Sequence, residues 1–172
     1  MDTTRTDDMV HVARWHWGDK EWSPFSAAEM DFRQGALRGH LAAEDIDACL
    51  LTSYHNICYH SGWIFCYFGR KYGMVIDADH ATTISAGIDG GQPWRRTHGD
   101  NLVYSDWRRD NYYRAVRDLT GGVSRLGVEL DHLTVDQFRA LEAALPGVDL
   151  VDVGAATMWM RSIKSAEEHD LI

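Results

Sequence analysis

In three places this chain carries a Ser or Thr three residues ahead of a Glu or Gln: Ser26 with Glu29, Thr134 with Gln137, and Ser165 with Glu168. At that spacing the hydroxyl accepts from the third helical N–H while the longer side chain reaches back to the N–H of the cap, so each pair marks a helix start. Two of these starts are bracketed by apolar residues placed as staples, Phe25 with Met30 and Leu133 with Phe138. The first predicts a helix opening at Ala27, with Met30, Leu37 and Leu41 on its apolar face and Ala36 beside them, and ending near Glu44-Asp45-Ile46-Asp47. The second predicts a helix whose stripe continues through Leu141 and Leu145 until Pro146-Gly147 stops it. A further helix is predicted from about Asp110 to Leu119, with Tyr112, Val116 and Leu119 in line.

Between these helices lie short apolar runs of strand character bounded by Gly and Asp turns. They are Ala48 to Tyr54, Tyr72 to Ile76, Ala81 to Ser85, Asn101 to Ser105, Arg125 to Glu129 and Asp149 to Val153. Strands alternating with helices require a layered α/β fold, here a mixed β-sheet flanked by helices. Residues 1–24 are polar and irregular, with His11, Trp15, His16, Trp17 and Trp22 spread along a segment expected to drape over the surface. No internal repeat or low-complexity tract is visible. The cap at Ser165 predicts a helix from Ala166, yet seven residues follow to Ile172, fewer than the roughly 12–15 an isolated helix needs. Two readings stay open there: a frayed tail, or a boundary helix whose remainder lies beyond Ile172.

Composition narrows the function classes. With 45% hydrophobic and 25% charged residues the 172-residue chain has the make-up of one soluble globular domain. A net charge of −9 repels a phosphate backbone despite the Arg95-Arg96 and Arg108-Arg109 pairs, so no nucleic-acid partner is expected. No apolar run approaches the roughly 20 residues of a membrane span, and the start of the chain, with Asp2, Asp7 and Asp8, lacks a basic region followed by an apolar one. The chain therefore reads as cytoplasmic, without a membrane partner. Cys49, Cys58 and Cys66 are odd in number and lack Cys-x-x-Cys spacing, which implies reduced thiols, with Cys49 a small buried hydrophobe.

Self-contained catalytic motifs are missing. The nine histidines show no pair spaced to put two ligands on one helix face; His55 and His60 lie five apart, and His11 and His16 have no acidic cluster beside them in sequence. They are expected to be partly buried or surface histidines, with no metal site. The glycine-rich stretch from Gly87 to Pro93 lacks the endings of a phosphate or dinucleotide loop and reads as a loop after a strand, with Trp94 and Arg95 packed on a neighbour. No cofactor is indicated.

Residues 53–74, SYHNICYHSGWIFCYFGRKYGM, are the unusual stretch. They fit neither an aliphatic buried strand nor a clean alternation, and are either an aromatic edge of the core or a recognition surface. Gly69 separates Phe68 from Arg70, so a ring and a guanidinium project from one short loop. An arginine fork matches a small carboxylate bidentately, and a neighbouring ring can shield the pair from water. The alternative is a surface arginine beside a core aromatic.

Five segments carry a resemblance in the same order: TSYHNICYHSGW, CYFGRKYGMVI, ISAGIDGGQPWRR, YSDWRRDNYYRAV and VDVGAATMWMRSIKSAEEH. They resemble the N-terminal domain of the creatinases, in the family that also holds aminopeptidase P and prolidase. The resemblance implies a domain over residues 1–163 and, over 164–172, the beginning of a linker helix to a pita-bread catalytic domain absent from this chain. It implies hydrolysis of creatine to sarcosine and urea, with no metal or other cofactor, in a homodimer, the 172 residues alone being inactive. It also implies that Phe68 and Arg70 enter the active site of the partner subunit, Arg70 gripping the creatine carboxylate and Phe68 lining the pocket, with no catalytic residue in this chain. Two competing readings remain: the N-terminal domain of an Xaa-Pro peptidase of the family, and a non-catalytic dimerisation module.

Overall fold

The computed structural model describes residues 11–21, 23–67, 69–106, 109 and 111–172. Trp22, Phe68, Arg108 and Asp110, used in the sequence readings above, lie outside the described residues, as do Asp2, Asp7 and Asp8. Seven strands form one mixed sheet: β1 (Val12–Ala13), β2 (Ala48–Leu51), β3 (Gly73–Asp77), β4 (Ala81–Ala86), β5 (Asp100–Tyr104), β6 (Arg125–Val128) and β7 (Asp149–Asp152), in the order β1-β5-β4-β3-β2-β6-β7. Pairs β2·β6, β6·β7 and β4·β5 are parallel, whereas β1·β5, β2·β3 and β3·β4 are antiparallel. Hence β2, β4, β5, β6 and β7 end on the same edge of the sheet, where β3 begins. Open α/β sheets assemble ligand sites at that edge.

Seven helices accompany the sheet: α1 (Ala27–Ala43), α2 (Tyr54–Ser61), α3 (Gln92–Arg96), α4 (Asn111–Leu119), α5 (Val135–Ala144), α6 (Gly154–Ser162) and α7 (Ala166–Asp170). Because side chains alternate across a strand, β2 sends Ala48 and Leu50 to one face and Cys49 and Leu51 to the other. The first face is packed with Tyr112 and Val116 of α4 and Leu141 of α5. The second is packed with Leu37 and Leu41 of α1 and Ile57 of α2. All of these are buried, so the sheet is covered on both sides, which accounts for its continuous apolar strands.

The reciprocal capping bonds form at Thr134/Gln137 and Ser165/Glu168. At Ser26 the hydroxyl accepts from Glu29 N as expected, but the backbone N–H of Ser26 donates to Glu167 Oε2 at 2.8 Å instead of to Glu29. Glu29 turns to Arg33, with Oε1 2.8 Å from Nε. The buried face of α1 is completed by Arg33 and Gln34, whereas Ala36 is exposed. The run from Ala48 is strand only to Leu51, and Ser53 then caps α2 by accepting from Asn56 N. That helix was not expected; it ends at Gly62, whose φ of 73° is left-handed backbone that glycine adopts without strain. Two further helices arise where loop or strand ends were read: α3 within the glycine-rich stretch and α6 directly after β7.

Of the segment expected to drape over the surface, residues 11–21 are described, and they are tied to the sheet and α3. β1 adds an edge strand, Trp94 Nε1 donates to Gly18 O at 3.0 Å, and His16 lies 2.7 Å from an Asp100 carboxylate oxygen. Among the described residues no group of His, Cys, Asp and Glu is arranged to hold a metal ion, and no helix is long and apolar enough to cross a membrane. Cys49 is buried, as expected, while Cys66 is exposed.

Glu129, at the end of β6, is 1% exposed and accepts from four donors within 2.8 Å, with Thr52 Oγ1 a fifth at 3.5 Å. The four are Thr52 N at 2.5 Å, Ser53 N at 2.8 Å, Ser53 Oγ at 2.5 Å and Asn56 Nδ2 at 2.5 Å. Burial alone raises its carboxyl, but the bonds from Ser53, Thr52 and Asn56 outweigh burial and hold it below the usual carboxylate range. The resulting stabilisation is present above the unfolded value of about 4.3 and is lost as pH falls through the lower folded value. Glu129→Gln puts an amide donor among donors and is expected to cost about 2–3 kcal/mol in urea unfolding at neutral pH.

His60 behaves in the opposite chemical sense. It is fully buried, contrary to the expected partial exposure, and neither ring nitrogen has a hydrogen-bond partner. Burial first, and then the nearby Arg33 charge, depress its value to about 3. The unfolded chain takes up that proton below about pH 6.5, so stability falls as pH drops from there towards 3, by at most about 1.4 kcal/mol per pH unit. His60→Leu should therefore flatten the stability profile between about pH 5 and 6.5, above most carboxylate titrations; an unchanged slope in urea midpoints would remove His60 as its source.

Candidate functional site

Arg70 stands immediately before β3, at the edge where the parallel strands end. Its position follows from the aromatic stretch around it. Trp63, Phe65 and Tyr72 are buried and mutually packed, with ring centroids 4.6 Å apart for Trp63–Phe65 and 4.5 Å for Phe65–Tyr72. Ile64 and Tyr67 point outward, at 66% and 57% exposure. The stretch is thus an aromatic edge of the core with an exposed outer side. Gly69 then turns the chain with a φ of 72°, left-handed backbone that a Cβ would strain.

Two tyrosines clamp the backbone that follows. Tyr104 OH donates to Lys71 O at 2.9 Å, and Tyr112 OH donates to Tyr72 O at 3.1 Å. Arg70 is half-buried and lines a hollow of about 390 Å³ with Trp15, Gly87, Ile88, Tyr104 and Asp106. The strand ends of β4 and β5 contribute its floor. Phe68 lies outside the described residues, so the expected ring–guanidinium pair is located through Arg70 alone.

The Tyr104 hydroxyl and the Asp106 carboxylate line this hollow with Arg70. Burial raises the Tyr104 phenol to about 12, against a smaller downward pull from its bond to Lys71 and from the Arg70 charge. Burial also raises Tyr72, whose hydroxyl donates to Asp89 Oδ1 at 3.4 Å, and Asp89 itself is pushed up by burial. An anion entering the hollow meets the Arg70 guanidinium, with the Asp106 carboxylate as a like charge on the lining. Trp15, Asp89 and Tyr104 were not expected at the site. They are brought there by β1, the 3₁₀ turn Gly87–Asp89 and β5, and no local motif announces them.

The family model for the Creatinase/Prolidase N-terminal domain matches residues 33–163. The chain belongs to that family. It is 48% identical over 159 residues to the creatinase of Bacillus sp. (strain B-0618), an alignment covering 90% of this chain and 39% of the relative. The chain therefore spans about two fifths of the length of that relative. Among solved structures, a proline dipeptidase from Streptococcus pneumoniae TIGR4 is similar with a TM-score of 0.69 and 16% identity, over 76% of this chain and 98% of that one. The N-terminal domain of the cytoplasmic peptidase PepQ from Mycobacterium tuberculosis H37Rv is similar with a TM-score of 0.61 and 26% identity, over 76% of this chain and 98% of that one. These likenesses agree with the mixed sheet flanked by helices and place the chain among relatives that are hydrolases.

Tyr104→Phe tests the clamp on the Arg70 backbone. It removes one hydroxyl and leaves the Lys71 carbonyl without that donor, so unfolding free energy should drop by about 1–2 kcal/mol, read from urea denaturation.

Proposed function

We propose that this chain is the N-terminal domain of a cytoplasmic creatinase that hydrolyses creatine to sarcosine and urea as a homodimer, and that Phe68 and Arg70 form a carboxylate clamp in the partner subunit's active site. The observation that carries this reading is the 48% identity to a creatinase across 90% of the chain, against 16% and 26% to the two peptidase domains. Arg70 supports it chemically, because its guanidinium borders an open hollow at the sheet edge. A planar fork of donors fits the carboxylate of creatine, and a ring beside it excludes water from the ion pair. Bond cleavage is assigned to the catalytic domain of the longer enzyme, and the role of this domain is to orient substrate and to hold the dimer.

The isolated chain should accordingly release no urea from creatine. In the full-length enzyme Arg70→Ala should cost about 2–5 kcal/mol in kcat/KM by leaving a desolvated carboxylate unpaired, with Arg70→Lys recovering only part of it. Alanine kinetics equal to wild type would make Arg70 a surface residue. Mixed dimers test the trans arrangement. An Arg70→Ala subunit paired with one lacking the catalytic histidine has one intact site if the clamp crosses the interface, so random exchange should restore about a quarter of wild-type activity. No recovery in confirmed heterodimers overturns the clamp in trans. A metal requirement for two divalent ions in the full-length protein would instead favour an Xaa-Pro peptidase.

A further inference from the structure

A second hollow, of about 380 Å³, opens between α1, α2, α6 and α7 and shares no lining residue with the one around Arg70. Three cations line it, Arg33, Arg161 and Lys164, against one carboxylate, Glu168. Arg33 is 2% exposed and held rigidly: its guanidinium carbon lies 3.9 Å from the Phe25 ring centroid and 4.4 Å from that of Tyr59. Its Nε bonds Glu29 and its Nη1 donates to Tyr59 O at 3.2 Å. Nη2 is buried with no hydrogen-bond partner; it forms an ion pair with Glu168 Oε2 at 3.9 Å, too long for a hydrogen bond. Arg161 Nε is likewise buried and without a hydrogen-bond partner. Both arginines line this hollow, and Arg33 Nη2 and Arg161 Nε each lack a hydrogen bond, which is costly for a buried donor unless an acceptor enters.

Nearby acids do not fill that role. Glu29 is engaged by Arg33 Nε, Glu167 spends both oxygens on Ser26, and Glu168 accepts from Ser165 N at 3.1 Å in its capping box. The rest of the lining is apolar or aromatic, with Phe25, Tyr54, Tyr59 and Ile64. We infer that this hollow is a binding site for a small organic carboxylate, whose oxygens accept from Arg33 Nη2 and Arg161 Nε while its apolar body lies against the aromatic wall. Lys164 adds positive charge at the rim, and Arg33, gripped between two rings, is pre-organised so that little rotamer freedom is lost on binding. The inference uses only groups of this chain and stands whether or not the enzyme acts on creatine.

Sodium benzoate is the probe, titrated into the 172-residue chain at constant ionic strength while the arginine Nε–H resonances are followed by NMR. The expected result is a saturable shift of the Arg33 and Arg161 signals within tens of millimolar, a weakening of about tenfold or more in Arg161→Gln, and partial recovery in Arg161→Lys. Arg161 ends α6 and is only half-buried, so its variants are expected to keep the wild-type circular dichroism and unfolding midpoint. Inorganic phosphate, which has no apolar body, should bind more weakly than benzoate. A linear, non-saturating response to benzoate overturns the inference, as does an Arg161→Gln affinity within about twofold of wild type. Phosphate binding at least as tight as benzoate overturns the choice of an organic carboxylate.

Discussion

A buried carboxylate organises this domain. Glu129 leaves β6 at the edge of the sheet and is surrounded by N–H and O–H groups from the β2–α2 junction, while Asn56 passes the network on to Thr157 Oγ1 of α6 at 3.0 Å. One side chain thus joins two adjacent parallel strands to the helices that follow β2 and β7. A carboxylate removed from water without donors would take up a proton or unfold the junction, whereas four short donors make ionisation the favoured state. The helix start adds to this, because the cap N–H of Ser53, at the positive end of α2, donates to the carboxylate. Replacing one partner costs more than the bond itself, since the other groups stay buried and unmatched.

From that junction the geometry propagates to Arg70. With its first turn pinned by Glu129 and its last by Gly62, α2 sets where the chain enters the aromatic run. Trp63 and Phe65 can then face the core, and their packing on Tyr72 defines where β3 begins. Tyr104 and Tyr112 take the carbonyls of Lys71 and Tyr72, polar groups that would otherwise be left without partners at a turn beside the core. The guanidinium is therefore carried on a short arm whose root is fixed on both faces of the sheet. Binding residues on loops gain their precision from such scaffolds.

Much of this was legible from local chemistry, and the misses have a common cause. The capping boxes at Thr134 and Ser165 are complete within four residues, so sequence alone reveals them. The start of α2 has Ser53 but no Glu or Gln three residues on; the missing acid is Glu129, 76 positions away. The start of α6 has no bond from its cap residue Val153; Asp152 Oδ1, one position earlier, accepts from Gly154 N at 3.0 Å, outside the spacing of a capping box. Arg33 and Gln34 occupy core positions on α1 because each finds distant partners, Gln34 donating to His60 O at 2.9 Å and His98 O at 3.1 Å. An apolar-only stripe passes over them and prefers Ala36, which is exposed. In the site, the Gly69-Arg70 pair was readable, but Trp15, Asp89 and Tyr104 converge only through sheet pairing.

The carboxylate sites proposed at Arg70 and Arg33 sit in a chain with a net charge of −9. At physiological salt the field of distant charges fades over about 8 Å, so the overall acidity matters less to a bound anion than the donors within contact distance. What counts is whether the guanidinium is already desolvated and oriented. Arg33 reaches that state by stacking between Phe25 and Tyr59, whereas Arg70 is half-buried and rises from a backbone held by tyrosine hydroxyls at the open end of the sheet. At Arg33 the partly buried rings of Phe25 and Tyr59 shield the cation from water, while beside Arg70 the buried Tyr104 and Tyr112 fill the core and hold the backbone. For both proposed sites the planar donor geometry is the requirement, and a lysine in either position would keep its charge while losing it.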